Sequence, residues 1–185
     1  MRKILDYGLA FAILGLLLLV VARLDQVETR EQKGIAVVND GDTITLGEQR
    51  IRLRGIDAPE YTQICQRNGQ NYECGKQSRT ALVRLIGGKP ISCSGWEKDK
   101  YDRLLAVCKS GDVDLNGALV AAGWAISYGD YRREEAAARE AGVGLWAGTF
   151  DRPRDWRVNH GEMIDSTHDY LGSLWNWLRE IFRIS

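Results

Sequence analysis

An α+β fold follows from the order of patterns along the chain. Five short stretches favour strands through alternation or β-branched residues, and a helical apolar stripe separates the third from the fourth. Further helical stretches come only after the fifth strand, an order that suits an α+β domain and not a repeating βαβ unit.

Each element has its own signal. Ile35 to Val38 is an apolar, β-branched run, and Asn39-Asp40-Gly41-Asp42 after it is turn chemistry. Thr43 to Leu46 alternates, Gly47-Glu48 turns, and Arg50 to Leu53 alternates again, which predicts a three-strand meander. Lys76 to Ile86 carries Ala81, Leu82, Leu85 and Ile86 on one helical stripe, and Gly87-Gly88 ends it. Pro90 to Trp96 and Leu104 to Lys109 predict a second hairpin around the polar stretch from Asp99 to Arg103. Leu115 to Ala122 and Arg132 to Ala141 predict two more helices, the second with a small-residue face. This order matches a five-stranded OB-like Greek-key barrel with about three helices.

The chain has 185 residues, enough for one domain with extensions, and its 44% hydrophobic content with six tryptophans suffices for a single core. Twenty-five basic and twenty-five acidic residues cancel. Between Glu31 and Asn159, nineteen Lys and Arg face eighteen Asp and Glu, a net charge of +1. That balance excludes the general basic field behind tight, sequence-blind duplex binding, so any affinity for nucleic acid must come from a local cluster.

Four segments are expected. Residues 1–24 read as a signal anchor or signal peptide, 25–32 as a charged spacer, 33–158 as the folded domain and 159–185 as a tail. Met1-Arg2-Lys3 precedes an almost uncharged apolar run from Tyr7 to Ala22, the layout of an export leader, so the barrel is expected to be preceded by an N-terminal apolar helix. Its leucine run and the following Arg23 fit a retained anchor better than a cleaved signal; cleavage would make the protein secreted. In the tail, Leu171, Leu174, Trp175, Leu178, Ile181 and Phe182 fall on a narrow helical seam. Such an amphipathic helix suits a membrane surface, docking on the domain or self-association.

Four cysteines accord with export. Their spacings do not suit a zinc site, and the two histidines lie far downstream. A hairpin centred between Lys100 and Tyr101 puts Cys93 opposite Cys108, with Cβ atoms roughly 4.5–5.5 Å apart, near disulfide reach. Cys65 and Cys74 bracket a polar loop that a second disulfide closes easily. Trp124, Trp146 and Trp156 read as core or domain-closing aromatics.

The chemistry concentrates in three motifs: Asp40-Gly41-Asp42-Thr43, Arg52-Leu53-Arg54-Gly55-Ile56-Asp57-Ala58-Pro59-Glu60, and Asp99-Lys100-Tyr101-Asp102-Arg103. Carboxylates hold a hard divalent cation, a further glutamate activates water, and arginines grip a phosphate through a planar fork. Together with Gly144-Leu145-Trp146, the order and spacing of these motifs resemble the thermonuclease family, the staphylococcal-nuclease-like domains, from about Gly34 to Arg157.

The resemblance implies closure of the strands into a barrel. It also implies a calcium ion (Ca2+) held by Asp42 and Asp57 with the Ala58 carbonyl, and Asp40 in the outer shell. Glu60 then deprotonates the attacking water, and Arg52 and Arg103 bind the phosphate. Lys100 and Tyr101 fall at the terminal-phosphate end of the nucleotide, and Tyr128 falls beside the base. One departure is Asp102, where the family prototype has glycine; its carboxylate either pairs with Arg103 or faces solvent.

The function expected on this resemblance is an exported, calcium-dependent nuclease acting on single-stranded or flexible DNA and RNA and leaving 3′-phosphates. A non-catalytic OB-type module binding nucleic acid or protein is the alternative. Degenerate modules of that kind generally lose a carboxylate or an arginine, and here all five positions are filled. No obligate protein partner is evident.

Arg2 and Lys3 before the apolar run are expected to hold the N-terminus in the cytoplasm, with the domain in the periplasm or at the cell exterior. Protease added to intact spheroplasts should therefore digest the domain. Complete protection would place it in the cytoplasm.

Overall fold

A curled sheet with helices packed beside it organises the molecule. The computed structural model describes residues 7–8, 11–18 and 30–161. The chain divides into two compact units, Met1–Phe150 and Asp151–Ser185. In the first unit the described strands are β1 (Arg30–Gly34), β2 (Ala36–Val38), β3 (Thr43–Leu46), β4 (Gln49–Leu53), β5 (Ile56–Asp57), β6 (Cys65–Arg67), β7 (Gln70–Tyr72), β8 (Ile91–Lys98), β9 (Leu104–Ser110), β10 (Val113–Asp114) and β11 (Ile126–Ser127). From Arg30 to Phe150 the described helices are α1 (Cys74–Ile86), α2 (Leu115–Ala121) and α3 (Arg132–Glu140), followed by a 3₁₀ turn (Gly144–Ala147). The second unit contains α4 (Pro153–Asn159), where Trp156 stacks on His160 with ring centroids 4.1 Å apart.

The five predicted strands correspond to β2, β3, β4, β8 and β9. The sheet runs β1-β8-β9-β4-β3-β2, with β10 added to β9. All its pairings are antiparallel except β4 with β9. β1 and β2 are separated by Ile35 alone, so one continuous segment pairs with β8 at one end and with β3 at the other. That double pairing curls the sheet, consistent with an OB-like architecture. β1 also takes in Arg30 to Lys33, most of which the sequence placed in a spacer. Its residues are largely exposed and charged, so it carries no alternation to betray it.

The core lies inside the curl. Ile44, Ile51, Leu53, Ile91 and Leu104 from the sheet meet Leu82, Leu115 and Leu119 from the helices, all essentially inaccessible to solvent. Burying each such side chain contributes about 1.5–3 kcal/mol. α1 presents Cys74, Ser78, Leu82 and Ile86 inward at four-residue intervals and ends at Gly87, whose left-handed φ of 62° closes the last turn onto Val83. Cys93 and Cys108 are cross-strand partners joined by a disulfide within this core. A register shift between Gly95 and Glu97 moves the centre of the hairpin one half-step, onto Tyr101.

A smaller cluster holds Cys65, Cys74 and Leu145, with Tyr72, Trp124 and Phe150 against it. Cys65 and Cys74 are joined by the second disulfide. Between them, β6 and β7 form a hairpin on an Asn68-Gly69 turn with both residues at positive φ. This region was expected to be a loop. The Asn-Gly dipeptide is its sequence signal.

Asn116 ties three elements together at the base of the sheet. It is fully buried, its Nδ2 donates to Arg54 O (2.9 Å) and Ala106 O (3.1 Å), and its Oδ1 accepts from Cys108 N (3.1 Å). Asp114 caps the same helix through the amides of Asn116 and Gly117.

The anchor and tail expectations fall largely outside the described residues. Residues 7–8 and 11–18 are helical. Among the described residues no helix is long and apolar enough to cross a membrane. The apolar seam from Leu171 to Phe182 lies outside them.

Asn116→Ala strips the Asn116 hydrogen bonds from Arg54 O and Cys108 N, each orphaned group costing about 1–3 kcal/mol, while Ala106 O keeps the Arg54 amide at 2.8 Å. Urea unfolding should show a loss of about 3 kcal/mol or more, and a change below about 0.5 kcal/mol would refute this role.

Candidate active site

Three turns bring Asp40, Asp42, Asp57, Ala58, Arg52 and Arg103 together. The first follows β2, where the Asp42 amide donates to Asp40 Oδ1 at 3.0 Å and closes a tight Asx turn. Gly41 in this turn packs so closely that a Cβ there would lie 2.7 Å from Ala58 Cβ and 2.1 Å from Ser78 Oγ. Glycine is thus what allows the Asp40–Asp42 turn to touch both the Asp57–Glu60 segment and α1.

The second turn links β4 to β5. Asp57 ends the two-residue β5, which pairs with β11, and Pro59 follows Ala58, holding it extended. The Ala58 amide donates to Asp42 Oδ2 at 3.1 Å. Arg52 Nη2 lies 3.0 Å from that same Oδ2 and 2.8 Å from Asp57 Oδ1. Asp42 and Asp57 are both buried, and the guanidinium joining them is mostly so.

The third turn joins β8 to β9. Arg103 donates through Nε and Nη2 to Asp99 Oδ2, both at 2.7 Å, and its amide donates to Asp99 Oδ1 at 3.0 Å. Arg103 Nη1 also reaches Thr43 Oγ1 at 3.3 Å, and that hydroxyl donates to Asp42 Oδ1 at 3.0 Å. Thr43 therefore connects the second arginine to the carboxylate pair. Tyr101 is exposed, with Arg103 Cζ 5.3 Å and Lys100 Nζ 5.1 Å from its ring centroid. Tyr128, also exposed, donates its amide to Gly55 O at 2.8 Å, at the turn between β4 and β5.

Asp102 does not pair with Arg103. Its carboxylate is 82% exposed and meets Lys98 Nζ at 2.7 Å. The residue that engages Arg103 is Asp99, which the sequence placed in the motif without a role.

Charge is unevenly balanced here. Burial, and after it the charge of Asp42, pushes the Asp40 carboxyl up to about 6, and Glu60 adds in the same direction. Asp99 moves the other way: burial opposes its ionisation, but the Arg103 amide and guanidinium and the Tyr101 amide outweigh it and hold the carboxyl below its usual range. A depressed carboxylate stabilises the fold above its unfolded pKa, so this contribution is lost as the solution is acidified through the folded value.

The donor set suits a hard cation. Asp42 and Asp57 supply oxygen only, and they share one guanidinium. Among the described residues no three His, Cys, Asp or Glu side chains gather tightly enough to hold an ion by themselves. A cation held by two aspartates would complete its shell with backbone carbonyl oxygen and water.

The chain is similar to several known proteins. A family model described as staphylococcal nuclease homologue matches residues 50–148. The succinoglycan biosynthesis protein ExoI of Rhizobium meliloti (strain 1021) is 36% identical over 121 residues, covering 61% of this chain and 63% of that protein. The probable staphylococcal-like nuclease CAN2 of Oryza sativa subsp. japonica is 32% identical over 164 residues, 84% of this chain and 39% of that one. An uncharacterized endonuclease of Haemophilus influenzae (strain ATCC 51907 / DSM 11121 / KW20 / Rd) is 31% identical over 148 residues, 74% of this chain and 77% of that one. The chain thus spans less than two-thirds of the length of the first two.

Asp99 and Asp102 should separate cleanly on substitution. Asp99→Asn should weaken nucleotide phosphate binding about tenfold in calorimetric titration. Asp102→Gly should leave that affinity within about twofold and raise the thermal midpoint, because residue 102 has φ 62° and a left-handed non-glycine residue costs about 1 kcal/mol. Weaker binding in Asp102→Gly would reverse the assignment.

Proposed function

The chain belongs to the staphylococcal nuclease homologue family, and from that premise we propose that it is an exported, calcium-dependent nuclease hydrolysing single-stranded or flexible DNA and RNA. The observation that carries the reading is the linkage of Arg52 and Arg103 to one buried carboxylate, Asp42, directly in one case and through Thr43 in the other. Two forked cations converging beside a two-carboxylate, oxygen-only set suit a phosphodiester better than any neutral substrate.

On this reading Asp42 and Asp57, with the Ala58 carbonyl, hold the cation, and Asp40 supports it from the outer shell. When bound, the cation neutralises charge on the phosphate and lowers the pKa of nearby water. Arg52 and Arg103 orient the phosphate and oppose the charge that builds on its oxygens as water adds to phosphorus. Glu60 accepts the proton of the attacking water as the new P–O bond forms and the bond to the 5′-oxygen breaks. The departing oxygen takes up a proton, leaving a 3′-phosphate. Lys100 and Tyr101 engage the terminal phosphate, and Tyr128 flanks the base. The near-neutral domain charge supports a preference for flexible or single strands over tightly bound duplex. The basic N-terminus, the apolar run and the two disulfides support export.

Glu60→Gln should lower kcat by about 10²–10⁴-fold while calcium affinity, measured by calorimetry, stays near that of the parent protein. Activity of the parent should vanish in EDTA and return with calcium. Full activity of Glu60→Gln would remove Glu60 from the mechanism, and full activity in EDTA would remove the metal.

A further inference from the structure

The segment that follows Glu60 is fixed far more firmly than an ordinary surface turn, and one polar side chain is central to it. Gln63 is fully buried (0% exposed). Its Oε1 accepts the Glu60 amide at 3.2 Å, and its own amide donates back to Glu60 O at 2.8 Å. Its carbonyl accepts the Gly75 amide at 3.3 Å, at the start of α1. Cys74 Sγ lies 3.3 Å from that same carbonyl, and because the sulfur belongs to the Cys65–Cys74 disulfide this is a packing contact.

The helix closes the other side. A Cβ at Gly75 would fall 1.8 Å from Glu60 O and 2.9 Å from the Tyr61 carbonyl carbon. Only glycine lets the first turn of α1 rest directly on the Glu60–Tyr61 backbone. Residue 60 is thus held by reciprocal bonds with Gln63, by the α1 backbone beneath it and by a disulfide-tied neighbour. Burying an amide costs free energy that an apolar side chain of similar volume would not, unless its polar atoms are matched. Here one of those atoms is matched to the amide of the residue that takes the proton.

We propose that Gln63 is a positioning residue for Glu60, setting the carboxylate against the attacking water through the residue 60 backbone, with the Cys65–Cys74 disulfide holding Gln63 in place. The inference rests on Glu60 being the general base. A misplacement of about 1 Å in such a group lowers turnover roughly 10²-fold without changing how substrate is gripped. On that reading the phosphate is gripped by Arg52 and Arg103, on β4 and on the β8–β9 turn, outside the Glu60–Gln63 segment.

The test is a double-mutant cycle with a fluorogenic oligonucleotide. Gln63→Met keeps the volume and removes the acceptor. It should lower kcat about 10–100-fold, leave KM within about threefold, and cause no further loss in the Glu60→Gln background. A purely structural role would lower the unfolding midpoint while leaving kcat per folded molecule unchanged. That result, or a loss that adds fully to that of Glu60→Gln, overturns the proposal and leaves Glu60 as the base. If Glu60→Gln alone has parental kcat, the base assignment falls and this inference with it. Should Gln63→Met not accumulate as folded protein, Cys65→Ala/Cys74→Ala serves in the same cycle, with the same expected kcat loss that vanishes beside Glu60→Gln. Parental kcat in that variant overturns the role of the disulfide.

Discussion

Asp42 gives one carboxylate oxygen to the Ala58 amide and the Arg52 guanidinium, and the other to the Thr43 hydroxyl. Those contacts reach β4, the Asp57–Glu60 segment and, through Thr43, Arg103 on the β8–β9 turn. They exist because Gly41 lets the turn after β2 approach Ala58 and Ser78 without a side chain between them. If that approach were lost, Arg52 would face Asp57 without Asp42, and the link from Arg103 to the carboxylates would be broken. The site is therefore assembled by one close backbone contact, with the charged groups arranged around it.

The ion pairs in this cluster are poor candidates for holding the fold together. Desolvating a guanidinium and two carboxylates costs several kcal/mol per ion, and their mutual attraction offsets little more than that. Stability comes from elsewhere: the apolar interior between sheet and helices, Asn116 satisfying backbone on β9 and the β4–β5 turn, and two disulfides. In the chain-entropy account, a crosslink of the separation between Cys93 and Cys108, 15 residues, contributes about 3 kcal/mol. Such a frame can carry charges whose arrangement serves chemistry more than folding.

The sequence made legible whatever rests on local pattern. β3, β4 and the first half of β8 alternate, so their faces follow from spacing; β9 is an apolar run legible as a strand but not by face, and α1 carries a stripe with a glycine stop. β1 was missed because it is charged and exposed, and its pairing depends on the curl of a sheet that no local window contains. β6 and β7 were missed because each has three residues, although Asn68-Gly69 marks the hairpin between them. β5 and β11 have two residues each, too short for any periodicity. In the site, the motif residues were legible as residue types in order. Their partners were not: that Asp99 engages Arg103 while Asp102 turns to Lys98 is set by a left-handed backbone at residue 102, which glycine or asparagine would signal and aspartate signals only weakly.

The two arginines are held by different physics. Arg52 projects from a central strand of the sheet and is fixed by carboxylates on two other segments, so its position depends on the tertiary fold. Arg103 is fixed by Asp99 within its own hairpin turn, four residues away, and reaches the rest of the cluster through a single longer bond to Thr43. Local folding of the turn is enough to set the second guanidinium; only the completed sheet sets the first. Glu60 belongs to the first class, because the start of α1 packs directly on its backbone at Gly75. On the proposed reading, the groups that must be placed most accurately at the reacting phosphorus are those the tertiary structure holds. The group held only locally lies beside the exposed Lys100 and Tyr101, where a long and variable substrate has to be accommodated.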